Sequence, residues 1–156
     1  MFLRGLLQLF ECGFAAKRTA AGAGLHAHPV LSDRVERNDA ALAPWLREGM
    51  KFIQERITPA NLRSFLGEQL SAGDLLIDLA WNIDCCEIVQ WCHDHGVLYL
   101  NTSVELWDPY DAPEDHHPTK RTLSWRHMNL RRIMAAWREQ GPTAVLEHGA
   151  NPGLIR

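Results

Sequence analysis

Between residues 74 and 107, two apolar runs flank one amphipathic stretch, and the rest of the chain reads as an extension of that unit. Residues 74–80 have strand length, with Gly73 before them and Asn82 after them. Their near-continuous apolar character predicts a strand buried on both faces of a parallel sheet. Asp84 then opens a helix: Glu87 comes at capping-box spacing, Ile88, Val89 and Cys92 continue at helical spacing, and Gly96 stops it. Residues 97–100 are a second strand, ending in Asn101, Thr102, Ser103 and Glu105. A parallel pair needs a crossover of this kind, and open α/β sheets bind ligands beyond the carboxyl ends of their strands.

Upstream, residues 50–53 predict a short strand. Thr58 and Pro59 predict a helix start, with Thr58 as N-cap and Pro59 in the first helical position. Leu62, Phe65, Leu66 and Leu70 form one stripe that belongs in a core. Downstream, the Pro-, Asp- and His-rich residues 108–120 are a loop. A long helix is expected over 119–139, with Leu123, His127 or Leu130, Met134 and Trp137 on its buried side. Residues 143–147 are a third strand of the same kind, running into a turn that carries Asn151. Alternation of short strands and helices from residue 50 onward predicts a parallel sheet with helices on both faces. The polar clusters around Asn82, around Thr102 and Glu105, and around Asn151 then share one edge.

Residues 1–47 are less regular. Leu3, Leu6, Leu7 and Phe10 fall at helical spacing and predict a short amphipathic helix. The stretch from Ala15 to Ala40 mixes Ala, Gly, Arg and His without a sustained period, which predicts an irregular linker. Gly22-Ala23-Gly24 lacks the third glycine of a dinucleotide fingerprint, and no buried strand leads into it. The expected organisation is an irregular segment over 1–47 and an α/β domain over 48–156.

Composition narrows the partners. A net charge of −3 and a pI near 6.2 give no support to a nucleic acid or an anionic membrane. The basic run from Arg126 to Arg138 is expected to be a solvated helix face. The apolar N-terminus is interrupted by Arg4, Gly5 and Gln8 and is too short to span a bilayer. Cys12, Cys85, Cys86 and Cys92 contain no CxxC pair, so no zinc site is expected. Thiols in a reducing, cytoplasmic setting are the expectation. His116 and His117, beside Glu114 and Asp115, are expected to be an exposed loop rather than a metal centre.

Three strings, WNIDCCEIVQWCHDHGVLYLNTSVELWDPY, WRHMNLRR and AVLEHGANPG, closely resemble the homospermidine synthases of the saccharopine dehydrogenase-like family. The resemblance runs from about Gly49 to Ile155 and rests on residues as uncommon as Trp, Cys, His and Asn. It implies a partial Rossmann-like domain, part of a doubly wound parallel sheet. The family's N-terminal βαβ fingerprint and its C-terminal substrate domain are not recognisable, so the chain is expected to be a fragment of the NAD-binding domain.

The implied activity is NAD-dependent aminobutyl transfer from one putrescine to another, giving homospermidine and ammonia. The cofactor takes a hydride from putrescine, a second amine attacks the resulting imine, and the same hydride returns. By position, the resemblance places Asn82, Thr102, Glu105 and Asn151 along the cofactor cleft. Asn82, Thr102 and Asn151 offer neutral groups suited to ribose or carboxamide; Glu105 offers a carboxylate for an amine or a ribose hydroxyl. The competing reading is that Asn82 and Asn151 only shape turns. Two other functions compete: a non-catalytic protein that pairs with a full-length homologue through open sheet edges, and another NAD(P)-dependent oxidoreductase of the wider family; as partners, a homo-oligomer or a full-length homologue is expected.

Overall fold

The structure is a computed structural model. It describes residues 5–10, 15–20, 25–31 and 54 as backbone, and residues 43, 47, 53, 55–80, 82–108, 117–138 and 140–146 with their side chains. Its centre is the predicted strand–helix–strand unit. Strand β5 (Leu75–Leu79) and strand β6 (Leu98–Asn101) run parallel, with Leu75 opposite Leu98 and Asp78 opposite Asn101. Between them lies helix α2 (Cys85–His95). Asp84 caps it as the spacing predicts, its side chain accepting the Glu87 N–H at 3.0 Å. Gly96 ends it in the left-handed region, at φ 72°.

That glycine is required twice over. A left-handed φ costs an L-residue about 1–2 kcal/mol, and a Cβ there would lie 3.2 Å from the Ala72 Cβ. Gly96→Ala is therefore expected to lower stability by about 1–2 kcal/mol in urea unfolding. An unchanged midpoint would mean that the turn is not held in this conformation.

Helix α1 (Leu62–Gln69) precedes β5 and buries the expected stripe of Leu62, Phe65 and Leu66, with Leu70 just beyond its end. It starts later than expected. Thr58 and Pro59 form a turn of their own, in which the Thr58 N–H donates to Asn61 Oδ1 at 2.7 Å, and Asn61 takes the N-cap position. The chain after β6 also departs from one long helix. A 3₁₀ turn (Pro118–Arg121) comes first, then α3 (Leu123–Ala135), with the Thr122 hydroxyl accepting from the Trp125 N–H. Starting there leaves Leu123 at 44% exposure and makes Leu130 the buried contact. Strand β7 (Ala144–Leu146) lies parallel to β6, with Leu146 opposite Asn101.

Residues 5–31 differ most from expectation. Gly5–Phe10 is strand β1, not a helix, and pairs in parallel with β5 from Leu6 opposite Leu75 to Phe10 opposite Leu79. A short run of leucines suits either period, and pairing beside a buried strand decides for extended chain. Strands β2 (Ala15–Ala20) and β3 (Leu25–Leu31) continue as an antiparallel meander where an irregular linker was expected. Strand β4 (Ile53–Gln54) pairs in parallel with β3. The described sheet runs β4-β3-β2-β1-β5-β6-β7. Gly22-Ala23-Gly24 lies outside the described residues.

The apolar core sits on one side of the β5–β6 pair. Leu76, Asp78 and Ala80 alternate into it from β5 and the residue after it, Tyr99 and Asn101 from β6; Leu75, Ile77, Leu79, Leu98 and Leu100 are half-buried on the other face. Buried residues of all three described helices join the cluster containing Leu76 and Tyr99. Helices on both faces were expected; among the described residues they gather on one. The reason is topological. β5, β6 and β7 are added in one direction across the sheet, and right-handed crossovers then place successive helices on the same side. The result is a partial Rossmann-like α/β domain showing one helix layer among the described residues. None of its described helices is long and apolar enough to cross a membrane.

Candidate functional site

Asp78, Asn101 and Leu146 are level across β5, β6 and β7, so these strands end along one edge. The loops beyond them carry the polar residues singled out in the sequence. Asn82, after β5, has φ 56°, the one described non-glycine residue in the left-handed region. Asparagine tolerates that region better than most residues. Its Oδ1 is buried and has no hydrogen-bond partner among the described residues. An unsatisfied buried acceptor costs about 1–3 kcal/mol, so this oxygen is a place where a ligand donor would be favoured.

After β6, Thr102 is exposed and Glu105 is half-buried. The Cys85 N–H, at the start of α2, donates to the Glu105 carbonyl at 3.1 Å, which draws the two loops together. Both carboxylate oxygens of Glu105 are occupied. Oε1 accepts from the Ser103 hydroxyl at 2.6 Å, and Oε2 faces Arg126 Nη1 at 3.4 Å. Arg126 Nη1 also donates to the Val104 carbonyl at 3.2 Å. The geometry thus gives Glu105 a part in closing its own loop. Arg126 departs from the solvated face expected of its run: its side chain is 16% exposed, whereas Arg131, Arg132 and Arg138 are exposed. Asn151 lies outside the described residues.

Beneath this edge is a polar group to which no sequence motif pointed. Asp78, Tyr99 and Asn101 are buried together among apolar side chains. Asp78 Oδ2 accepts from the Tyr99 hydroxyl at 2.7 Å and from Asn101 Nδ2 at 2.8 Å; Oδ1 accepts from the Ala80 N–H at 3.0 Å. Tyr99 Oη also lies 3.5 Å from Cys85 Sγ. Asn101 Oδ1 accepts from the Ser103 N–H. Burial raises the Asp78 carboxyl to about 6, outweighing the hydrogen bonds from Tyr99, Ala80 and Asn101; the charge of Glu105 adds to the rise. Burial also drives the Tyr99 hydroxyl and the Cys85 thiol upward, so both stay protonated at neutral pH. A carboxylate inside DLLIDLA, with Tyr99 and Asn101 two apart on the next strand, was the available signal.

Comparison with known proteins agrees with this architecture. The family model for the saccharopine dehydrogenase NADP binding domain matches residues 12–145, and the chain belongs to that family. The matched range begins inside the segment 1–47 that was set apart in the sequence. A homospermidine synthase from Blastochloris viridis is 30% identical over 97% of this chain and 30% of its own length. Another, from Mesorhizobium japonicum, is 30% identical over 69% of this chain and 22% of its own. The chain therefore spans less than a third of these relatives. A crystal structure of homospermidine synthase from Legionella pneumophila in complex with NAD superposes with a TM-score of 0.54 at 26% identity. It covers 81% of this chain, and this chain covers 24% of it.

Proposed function

We propose that this chain carries the dinucleotide-binding edge of a homospermidine synthase-type enzyme, with NAD as the cofactor. Residues 48–156 supply most of that edge, and strands β1, β2 and β3 fill the sheet between β5 and β4. The observation that carries the reading is Asn82: a left-handed residue at the carboxyl end of β5, holding a buried acceptor without a partner among the described residues. A ribose hydroxyl or carboxamide N–H has the donor that Oδ1 lacks. Thr102 stands exposed after the neighbouring strand, and Asn151, outside the described residues, joins the proposed site on the sequence resemblance alone. Glu105, fixed by Ser103 and Arg126, holds negative charge beside the site, suited to a cationic polyamine or a ribose hydroxyl. Bound NAD would supply reversible hydride transfer; the chain's own residues bind and orient. In the whole enzyme the substrates would be putrescine units, joined with loss of ammonia. The free thiols Cys85, Cys86 and Cys92 suit a reducing cytoplasm.

Calorimetric titration of the 156-residue chain with NAD tests the reading, using Asn82→Gly beside Asn82→Ala. Glycine adopts φ 56° at least as easily as asparagine, so Asn82→Gly should leave stability unchanged or higher. If Asn82 binds the nucleotide, both variants should lose about three- to tenfold in affinity, the value of one hydrogen bond. Equal affinity in wild type and both variants would leave Asn82 as a turn residue only. No binding by the wild type would remove the nucleotide reading for this chain.

A further inference from the structure

Asn82, Thr102 and Glu105 sit on two separate loops, and a nucleotide edge works only if those loops keep a fixed spacing. One backbone contact joins the two loops, the Cys85 N–H donating to the Glu105 carbonyl. Below it, one side chain holds both loop roots. Asp78 Oδ1 accepts from the N–H of Ala80, two residues before Asn82. Its Oδ2 accepts from Asn101 Nδ2, and the other end of that amide accepts from the Ser103 N–H, between Thr102 and Glu105. Tyr99 Oη donates to the same carboxylate oxygen and also stands close to Asn101 Nδ2, so the amide orientation is set from two sides. Ser103 then passes the constraint on through its hydroxyl to Glu105, and Glu105 to Arg126 on α3.

The cost of this arrangement argues that it is not incidental. A buried carboxylate in a parallel strand gives up the apolar contact that leucine or valine would make, and its desolvation must be offset by donors. Asp78 is 2% exposed, and Asn101 is 5% exposed. Each of its bonds to a loop ends on a root of the candidate site.

We infer that Asp78 is a positioning residue: it ties the loop after β5 to the loop after β6 through Ala80 and through the Asn101–Ser103 relay, and so sets the spacing of Asn82 against Thr102 and Glu105. The value of that spacing for a nucleotide rests on the proposed function; the tie itself does not. Three variants separate the links. Asp78→Asn keeps the volume but replaces one acceptor oxygen with a donor. Tyr99→Phe removes one hydroxyl. Asn101→Ala cuts only the branch to Ser103.

Amide hydrogen exchange, read over residues 80–84 and 102–106 with β5 and β6 as internal controls, is the test. Asp78→Asn should speed exchange about tenfold in both loops, while the strand amides of Leu76 and Leu100 hold their wild-type rates. Asn101→Ala should speed it in 102–106 alone, and Tyr99→Phe should give a smaller change in that loop. Faster exchange everywhere, through global unfolding, would reduce Asp78 to a plain stability residue and overturn the inference. So would wild-type exchange in both loops of Asp78→Asn. NAD titration of the same variants addresses the other half. If the wild type binds, affinity should fall about fivefold in Asp78→Asn, and an unchanged affinity would overturn the positioning role. If the wild type does not bind while the loop-specific exchange holds, the nucleotide reading fails and the tie between the loops stands.

Discussion

Asp78→Asn should flatten the dependence of stability on pH between about 4 and 7. The carboxyl group rises from its ordinary 3.8 to about 6 on folding, chiefly because burial disfavours its charge. A raised value means that the folded protein holds this proton more tightly than the unfolded chain does. The corresponding stabilisation is complete below about pH 4 and is lost as the pH climbs through about 6. Its size is about 3 kcal/mol, at 1.36 kcal/mol per pH unit. Asp84 is raised by burial and contributes in the same direction, whereas Asp94, lowered chiefly by its bond to His93, contributes in the other. The measurement is therefore a difference: urea unfolding of wild type and Asp78→Asn at pH 4.5 and 7.5.

Asparagine cannot accept from all three donors at once, so at low pH the variant should be less stable by about 1–2 kcal/mol. At pH 7.5, where the wild type carries the buried charge, that penalty should vanish or reverse. A penalty of equal size at both pH values would mean that Asp78 is ionised throughout or open to water. Asp78→Ala, which strands the Tyr99 hydroxyl, the Asn101 amide and the Ala80 N–H, should cost about 2–4 kcal/mol at neutral pH.

The second large effect belongs to the apolar core. Leu66 is fully buried on α1, in the cluster that also holds Leu76 and Tyr99. Leu66→Ala removes three carbons and leaves a cavity between the helix and its surroundings. The expected loss is about 2–5 kcal/mol, with the upper part reached if the helix cannot settle inward. Leu123→Ala is the matched control. Leu123 has the same side chain at 44% exposure in the first turn of α3, and its truncation should change stability by no more than about 0.5 kcal/mol. Thermal or urea unfolding of the pair checks the packing directly. Similar losses at both sites would mean that the first turn of α3 is packed like the turn that holds Leu130, with Leu123 inward.

Those two residues show where periodicity sufficed and where it did not. The stripe of Leu62, Phe65, Leu66 and Leu70 has no alternative face, so spacing alone named the buried side. In 119–139 the apolar positions are sparse, and several helical faces fit them equally well. The Thr122 cap and the 3₁₀ turn before it start the helix at Leu123, so Leu123 sits in its exposed first turn while Leu130, two turns on along the same face, is buried. The N-terminal leucines were ambiguous in another way. Gly5–Phe10 satisfies a helical spacing over a few residues, but a strand partner is available in β5 and residue spacing does not reveal it.

The candidate site divides along the same line. Asn82, Thr102 and Glu105 were legible because they come directly after apolar runs of strand length, and parallel strands carry their ends to a common edge. The capping pair Asp84 and Glu87, with the stop at Gly96, was equally local, and the structure realises it within a few residues. What no local pattern disclosed was the layer beneath. Asp78 and Asn101 are 23 residues apart in the chain and meet only because β5 and β6 pair in one register. Shifted by one residue, Asn101 would face away from the core and Asp78 would be buried without that donor. By itself, the sequence determined which stretches are strands and helices around residues 62–101 and which polar residues end them. The tertiary structure decided which of those polar groups are already bonded to one another, because hydrogen bonds between strands depend on register and face, and neither is written in the spacing along a single strand.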